Sequence, residues 1–307
     1  MSYTLPTPTF KNVVLIGATG DLGALFINAF KRAGSEFNVT IFTRKESETK
    51  AIELVKGHTQ FSVRAVDYNN ESDLVNALQG QEVVLNITGF PGLHLQHTII
   101  AAAEKAGVKW YLPSELGSDL SKPENRNYAF FATKLGVRDS LEKSSLAHTY
   151  IVTGGFADQF ITPFHDWDTE KHTIIVPGDG NTKISFTLRK DVASYALAVL
   201  RRYDQFKNTT VRLATYTLSY NDWVSAVENA TGTKYAVTNV PVEVLKERVA
   251  ANVDNTFSLQ WVADQLHISF AEGDVRVDWG THQLDNDRFA EVSPTPLEDY
   301  LADLFRN

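Results

Sequence analysis

The sequence predicts an α/β fold built on a doubly wound parallel sheet, and three observations support that prediction. Short apolar, β-branched runs alternate with helical patterns through the first 155 residues. These runs are apolar along most of their length, which is typical of strands covered on both faces of a sheet. A glycine-rich segment directly follows the first run. Alternation of this kind produces a parallel sheet with helices on both faces.

The elements of this first part are expected in a regular order. The predicted strands cover residues 12–16, 38–42, 61–66, 82–87, 108–112 and 149–152. The predicted helices cover residues 22–33, 47–56, 71–78, 96–106 and 128–143. Asn69 or Asn70 is the expected cap of the third helix, since an asparagine side chain accepts hydrogen bonds from free helical amides. Gly107 is expected to end the fourth helix.

A second region begins near residue 155, where prolines, glycines and aromatic residues interrupt the alternation. We expect residues 1–155 to form one domain and residues 156–307 a smaller, mostly helical substrate-binding region, partly interleaved with the first sheet. A helix at 192–202 and a strand at 210–213 could return to that sheet. Helices at 220–230 and 242–253 would belong to the substrate region. Residues 270–279 are acidic and β-like, and we assign no function to residues 256–307.

Composition excludes several classes of site and partner. The chain has no cysteine, which excludes disulfides, Cys-ligated zinc and a Cys nucleophile. Its net charge of −8 argues against direct nucleic-acid contact, which needs a basic face. His94 and His97 share a helical spacing, but no third ligand accompanies them, so we expect no metal site.

The N-terminus and the apolar runs predict a cytoplasmic protein that acts on small molecules. Residues 1–10 contain neither a basic start nor an apolar stretch, so they are not expected to be a secretory signal. No run approaches the roughly 18 apolar residues that span a bilayer. The sequence does not indicate an oligomeric state.

The segment Gly17-Ala-Thr-Gly20-Asp-Leu-Gly23 joins the first strand to the first helix. The first glycine permits a tight turn, the second lets the backbone approach a pyrophosphate, and the third removes a Cβ where the helix packs. A tight turn without a ligand is the alternative. The strand–loop–helix context nevertheless indicates a Rossmann-type dinucleotide site. The expected contacts are Gly17, Thr19, Gly20, Asp21, Leu22 and Gly23.

Arg44 and Lys45 end the second strand, where a site that prefers NAD usually carries an acidic residue. Two cations suit the 2′-phosphate of NADP(H) instead, although they could also be a solvated pair at a loop tip. Asp67, at the end of the third strand, could contact the adenine amino group or cap the next helix. Thr88 and Gly89 end the fourth strand, where a ligand crevice is expected.

Two candidate catalytic residues follow at the same edge. Ser114 ends the fifth strand, where it could bind substrate or ribose, or simply stabilise a turn; Glu115 beside it would stabilise the loop. Lys134 shares a helical face with Phe130 and Arg138. It could bind the nicotinamide ribose, or donate a proton if burial lowered its pKa. Most helical lysines are simply solvated.

The chain resembles the NmrA-like and isoflavone-reductase-like family of atypical short-chain dehydrogenases/reductases. The shared features are Gly17-Ala-Thr-Gly20-x-x-Gly23, Thr43-Arg44, Pro113-Ser-Glu-x-Gly117, Lys134-x-x-x-Arg138, Tyr150 to Phe156 and Asp191-Val-Ala193. The resemblance implies that Lys134 lies close to the nicotinamide. The common Tyr-x-x-x-Lys pair is incomplete, because Phe130 stands four residues before Lys134. This departure argues against ordinary carbonyl reduction assisted by a tyrosine.

Aromatic residues predict the chemistry of the ligand. Phe90, Phe156 and Phe160 could line an apolar pocket, although core packing accounts for them equally well.

Our interpretation is an NADPH-dependent reductase that transfers hydride to an activated C=C or C=O of a small apolar or aromatic secondary metabolite. The alternatives are a non-catalytic NADP(H)-sensing regulatory protein, or an isomerase on the same scaffold.

Overall fold

The structure, a computed structural model, describes residues 5–252 and 258–306. In this part of the chain the strands are, in order, β1 (Asn12–Ile16), β2 (Asn38–Thr43), β3 (Phe61–Ala65), β4 (Val83–Asn86), β5 (Trp110–Leu112), β6 (Ala147–Val152), β7 (Gly155–Phe156), β8 (Trp167–Asp168), β9 (Thr173–Pro177), β10 (Ile184–Thr187), β11 (Thr209–Arg212), β12 (Tyr216–Leu218) and β13 (Ala236–Val240).

The helices of the same residues cover both halves of the chain. The α-helices are α1 (Gly23–Ala33), α2 (Glu48–Val55), α3 (Glu71–Leu78), α4 (Gln96–Ala106), α5 (Ala132–Glu142), α6 (Ala157–Phe160), α7 (Arg189–Leu200), α8 (Tyr203–Phe206), α9 (Tyr220–Thr231), α10 (Val242–Ala251), α11 (Leu259–Ala271) and α12 (Leu297–Leu304). Short 3₁₀ turns lie at Gly34–Glu36, Lys45–Ser47, Phe90–Leu95, Pro123–Asn127, Ala129–Phe131, Pro163–His165 and Asn286–Arg288.

The main sheet joins seven of the described strands in the order β11-β6-β5-β4-β1-β2-β3. Neighbouring strands in it run parallel. β1 lies between β2 and β4, with Val14 opposite Thr40 on one side and Val84 on the other. The chain order reverses at β1, which creates a crevice at the carboxyl ends of β1 and β4. The predicted doubly wound parallel sheet is therefore confirmed.

Alternate residues of β1 build the two halves of the main core. Val13 and Leu15 pack with the buried faces of α1, α2 and α7. Val14 and Ile16 point to the opposite face and pack with α3, α4 and α5. All four side chains are at most 3% exposed. Removing such a side chain from water contributes roughly 1.5–3 kcal/mol to stability.

The second half adds both to the main sheet and to a separate core. α7 and β11, from beyond residue 155, pack on and pair with the main sheet. Two three-stranded sheets, β12-β10-β7 and β13-β9-β8, accompany α9 to α12 in the remainder. A third core of aromatic residues around Phe160 holds this region together.

Several predicted boundaries hold and others need correction. Asn70 caps α3 by accepting a hydrogen bond from the Asp73 amide at 3.1 Å, and Gly107 ends α4 in the left-handed region at φ 78°. The helix predicted over 128–143 begins later, since 129–131 form a 3₁₀ turn, so Phe130 lies outside α5. The last residue predicted for the 242–253 helix lies outside the described residues.

The β-like assignment of residues 270–279 is wrong. Phe270 lies near the end of α11, and residues 272–279 form turns and bends rather than a strand. The two valines of this segment pack in separate clusters. Val275 packs into the aromatic core, whereas Val277 packs with Val152 and Ala214.

Candidate functional site

The glycine loop forms a backbone cradle at the carboxyl end of β1. Gly17 has φ 95°, and a Cβ there would lie 2.9 Å from the backbone of Ile87 and Thr88 at the end of β4. A Cβ on Gly23 would lie only 1.8 Å from the carbonyl oxygen of Ala18. The loop can therefore close only with glycine at these two positions. Gly20 is less restricted, because its Cβ would meet the Gly17 oxygen at 3.3 Å.

The same loop presents free donors to an anion. Within the described chain, the amide N–H groups of Thr19, Asp21 and Leu22 donate to no protein acceptor. They stand at the start of α1, where the helix dipole favours negative charge. A cradle of unpaired amides at a helix N-terminus matches a pyrophosphate in both geometry and sign. The residues present therefore fit a dinucleotide.

Three basic side chains lie at or soon after the end of β2. Arg44 Nε lies 3.3 Å from Glu46, and Lys45 Nζ lies 2.5 Å from Glu48. Both basic side chains are mostly exposed, so these pairs contribute little and a stronger acceptor could replace them. Lys50 Nζ, on α2, donates to the Thr19 carbonyl oxygen at 2.8 Å. Sequence reasoning missed Lys50, whose only signal was a lysine near the start of the helix after β2.

Asp67 follows β3, and Thr88 and Gly89 follow β4, at the same edge of the sheet as the glycine loop. The Asp67 carboxylate accepts from the Asn69 amide at 2.9 Å, while Asn70 caps α3, so the suggestion that Asp67 caps this helix is wrong. The Thr88 amide donates to the Asn86 side chain at 2.9 Å. Gly89 is exposed, and a Cβ there would meet nothing within 4 Å.

Ser114 is part of a buried hydrogen-bond network. Its hydroxyl donates to the Thr88 carbonyl oxygen at 2.8 Å, and its amide donates to Gln96 Oε1 at 3.1 Å. The side chain is 8% exposed and therefore ties the end of β5 to the end of β4. These contacts fit the expected alternative, in which Ser114 stabilises a turn. The hydroxyl oxygen nevertheless keeps lone pairs that can accept a hydrogen bond from a ligand.

Lys134 lies on the first turns of α5 and reaches back to the loop after β5. Its ammonium donates to the Glu115 carbonyl oxygen at 2.5 Å. Burial lowers the pKa of Lys134, the neighbouring Glu115 carboxylate raises it, and the Arg138 guanidinium lowers it further; the net direction is downward. A lysine with a lowered pKa releases a proton more readily than an exposed one, which suits proton transfer.

Neither nearby aromatic residue supplies the missing tyrosine acid. Phe130 is 6% exposed, and its ring centroid lies 3.9 Å from that of Phe131. The Tyr128 hydroxyl donates to Asp274 at 2.8 Å and lies 3.2 Å from the Glu272 carboxylate. Burial and these carboxylates raise the pKa of Tyr128 far above its usual value. Lys134 is therefore left as the candidate proton donor beside the loop after β5, with a pKa that burial lowers.

The predicted substrate-lining aromatics divide into two groups. Phe160 is fully buried and packs among Phe186, Tyr220 and Trp223, so core packing rather than an open pocket describes it. Phe90 is 40% exposed, with its ring 6.1 Å from that of Phe130. Phe156 is half-buried.

Over residues 5–252 and 258–306, no three His, Asp or Glu side chains come together in a way that could hold a metal ion. None of the helices in the same residues combines the length and apolar character needed to cross a bilayer.

Comparison with known proteins places this geometry in a family. The model of the NmrA-like family matches residues 9–301 of the chain. Eugenol synthase 1 of Petunia hybrida is 25% identical over 306 residues, which cover 95% of this chain and 98% of the synthase. Phenylcoumaran benzylic ether reductase 1 of Arabidopsis thaliana is 27% identical over 272 residues, which cover 86% of this chain and 87% of the reductase.

Solved structures have the same architecture. The complex of leucoanthocyanidin reductase with NADPH from Vitis vinifera matches with a TM-score of 0.81 at 20% identity, covering 96% of this chain and 99% of that one. The similarity extends over nearly the whole chain, so it includes the two small sheets and the helices beyond residue 155 as well as the main sheet.

Proposed function

Because the chain belongs to the NmrA-like family, we propose that it is an NADPH-dependent reductase of a small, largely apolar or aromatic secondary metabolite. The observation that carries the proposal is the position of two groups at one sheet edge. The glycine cradle follows β1, and Lys134 contacts the loop after β5, two strands away. The names of the relatives, among them a benzylic ether reductase and an NADPH complex, support the same chemistry.

Different residues of the site bind different parts of the dinucleotide. Thr19, Asp21 and Leu22 present amides to the pyrophosphate, and Lys50 adds a positive charge beside the same loop. Arg44 and Lys45 bind the 2′-phosphate in exchange for their exposed glutamate partners. Charge-assisted contacts of this kind favour NADP(H) over NAD(H). Gly17, Gly20 and Gly23 shape the cradle, while Asp67, Thr88 and Gly89 border it.

When bound, NADPH supplies the hydride, and the side chains of this chain supply orientation and a proton. Lys134 holds its ammonium at the Glu115 carbonyl oxygen, from which it can bind the nicotinamide ribose or protonate the reduced substrate. Ser114 fixes the ends of β4 and β5 relative to each other. Phe90 and Phe156 give the substrate an apolar surface that excludes water.

The proposal is tested by separating binding from turnover. NADPH binding is measured by calorimetry for wild type, Lys134→Met and Lys143→Met, the last changing an exposed lysine just after α5. NADPH consumption is then followed with a panel of aromatic compounds that carry an activated C=C, a C=O or a benzylic ether. We expect all three proteins to bind NADPH, and Lys134→Met alone to lose about 100-fold or more in turnover.

Two results would overturn it. Wild-type protein that binds no NADPH would remove the cofactor assignment and the reductase with it. Full turnover in Lys134→Met would show that the proton comes from elsewhere, and Lys134 would lose its role.

A further inference from the structure

Glu115 lies between two basic side chains of α5. Its backbone carbonyl oxygen accepts from Lys134 Nζ at 2.5 Å, and its carboxylate accepts from Arg138 Nη2 at 2.6 Å. The Glu115 and Arg138 side chains are only 1% and 4% exposed. One residue therefore connects the candidate proton donor to a buried ion pair one helical turn further along α5.

Stability alone does not account for a pair in this place. Removing two charges from water is costly, and apolar residues of similar volume often stabilise a fold as well or better. Arg138 also stacks on Tyr150 of β6, with its guanidinium carbon 4.2 Å from the ring centroid. Tyr150 and Glu115 thus contact the Arg138 guanidinium from two sides. The guanidinium in turn fixes the position of the Glu115 carboxylate.

The loop after β5 is fixed from the other direction as well. The Gly117 carbonyl oxygen accepts from the Thr153 amide at 2.9 Å and from the Gly154 amide at 3.1 Å. Leu116, between these anchors, has φ 21°, a conformation that few residues with a Cβ adopt. Such a backbone persists only where its surroundings hold it. The Glu115 carbonyl oxygen therefore has a fixed position to offer Lys134.

We propose that Glu115 and Arg138 are positioning residues for Lys134: their buried ion pair fixes the carbonyl oxygen that holds the Lys134 ammonium at the carboxyl edge of the sheet. This inference rests on the proposed function, because it assigns the two residues a task in the proton transfer of the same site. Neither residue is catalytic in itself, since each acts on Lys134 through the loop.

The charges around Lys134 determine the direction of each test. Glu115 raises the pKa of Lys134, and Arg138 lowers it, against a background of burial that lowers it most. The other charged or titratable groups near the ion pair are Asp119, Asp139, Glu142, His148 and Tyr150. Without the guanidinium, the buried carboxylate has no partner and would attract the ammonium. Without the carboxylate, the ammonium would face only Arg138.

The experiment follows the titration of Lys134 by NMR in full-length protein labelled with ¹³C at lysine Cε. The Lys134 resonance is assigned from its disappearance in Lys134→Arg. In Arg138→Met we expect the titration midpoint of Lys134 to rise above that of wild type. In Glu115→Gln we expect it to fall below that of wild type. Glu115→Gln/Arg138→Met, which removes both charges, is expected to lie between the two single variants.

Opposite shifts show that the Lys134 ammonium stays beside both charges, whereas loosening of the structure would shift its midpoint in one direction only. If the pair only stabilised the fold, both single variants would move Lys134 toward the midpoint of exposed Lys143, and that result would overturn the proposal. Arg138→Lys restores the charge and should bring the midpoint back toward wild type. Arg202→Met removes another buried pair, with Glu291, and should leave the Lys134 midpoint unchanged.

The readout does not depend on turnover, so the two proposals can fail separately. NADPH binding is measured in the same proteins by calorimetry. If wild type binds no NADPH but the variants show the opposite shifts, the proposed reductase function is rejected. The role of the ion pair in positioning the Lys134 ammonium is then kept. Wild type that binds NADPH without opposite shifts would keep the reductase and remove the positioning role.

Discussion

Lys50 Nζ lies 2.8 Å from the carbonyl oxygen of Thr19, so α2 places a positive charge directly on the glycine loop. Arg44 contacts Glu46 beyond the end of β2 instead. The two cations therefore stand in different places relative to the cradle, one beside the expected pyrophosphate and one beside the expected 2′-phosphate. This difference makes their substitutions distinguishable.

Replacing Arg44 by Ala should weaken NADPH selectively. A charge-assisted hydrogen bond is worth roughly 1.5–3 kcal/mol, so we expect about a 10- to 100-fold loss of NADPH affinity and little change for NADH. Calorimetry with both nucleotides measures the effect. Lys56→Ala is the matched control, since Lys56 also forms an exposed pair with a glutamate. Equal losses for both nucleotides in Arg44→Ala would contradict the assignment.

Replacing Lys50 by Met should weaken both nucleotides to a similar extent. Lys50 contacts the loop that holds the pyrophosphate, which NADPH and NADH share. We expect a loss of roughly 3- to 30-fold for each, with the ratio of the two affinities kept. Calorimetry under the same conditions gives that ratio. A selective loss of NADPH would instead place Lys50 at the 2′-phosphate.

Gly23→Ala and Gly89→Ala should separate folding from binding. At Gly23 the added Cβ would lie 1.8 Å from the Ala18 oxygen, so the loop must open and the melting temperature should fall by several degrees. At Gly89 it meets nothing within 4 Å, so the melting temperature should hold. Any loss of NADPH affinity in Gly89→Ala then reports close approach of the dinucleotide. Unchanged affinity would remove Gly89 from the site.

Phe160→Ala should destabilise the protein without a specific effect on cofactor binding. The ring is fully buried in an aromatic cluster, and truncation of such a side chain costs about 3–5 kcal/mol. Chemical denaturation measures the loss. Phe164→Ala changes a ring that is 37% exposed and should cost less than about 1 kcal/mol. A small cost for Phe160→Ala would return that residue to the substrate pocket.

Mild acid should destabilise the protein through two buried histidines. Burial, and then the neighbouring His267, lower the pKa of His165 to about 3, and burial lowers the pKa of His267 to about 4. The unfolded chain binds these protons below about pH 6.5 and the folded chain does not, so stability falls as the pH drops from about 6.5 toward 4. The expected loss is on the order of 2 kcal/mol per histidine at pH 5.

Two variants test this pH dependence in denaturation curves at pH 7 and pH 5. His165→Phe keeps a ring against Phe270, on which His165 stacks with an interplanar angle of 12°, and should reduce the loss. His94→Gln changes an exposed histidine and should behave as wild type. A wild-type protein equally stable at both pH values would exclude neutral buried histidines.

The sequence predicts best where one local signal determines the outcome. The apolar run of β1, the Asn70 cap and Gly107 at the end of α4 each depend on a few adjacent residues, and all three are confirmed. The expected roles of the cofactor residues follow from the strand–loop–helix context. They stay predictions until a nucleotide is titrated.

The sequence predicts least where the outcome depends on distant packing. Lys50 reaches Thr19 across 31 positions, a contact that only the placement of α2 against the loop creates. Phe160 looked equally suited to a pocket or a core, and its burial follows from helices and strands up to Phe270. The small sheets contain strands as short as two residues, such as β7 and β8, which are too brief for a periodic signal.

The position of β11 has a consequence for how the chain is made. β6 has β11 as its outer neighbour in the main sheet, yet residues 153–208 separate the two strands. During synthesis, the nascent chain exposes the β6 edge and the bare face meant for α7 until roughly residue 212 has emerged. Folding of the nucleotide-binding half is therefore expected late in translation, and a chain truncated near residue 155 is expected to form an unfinished, aggregation-prone sheet.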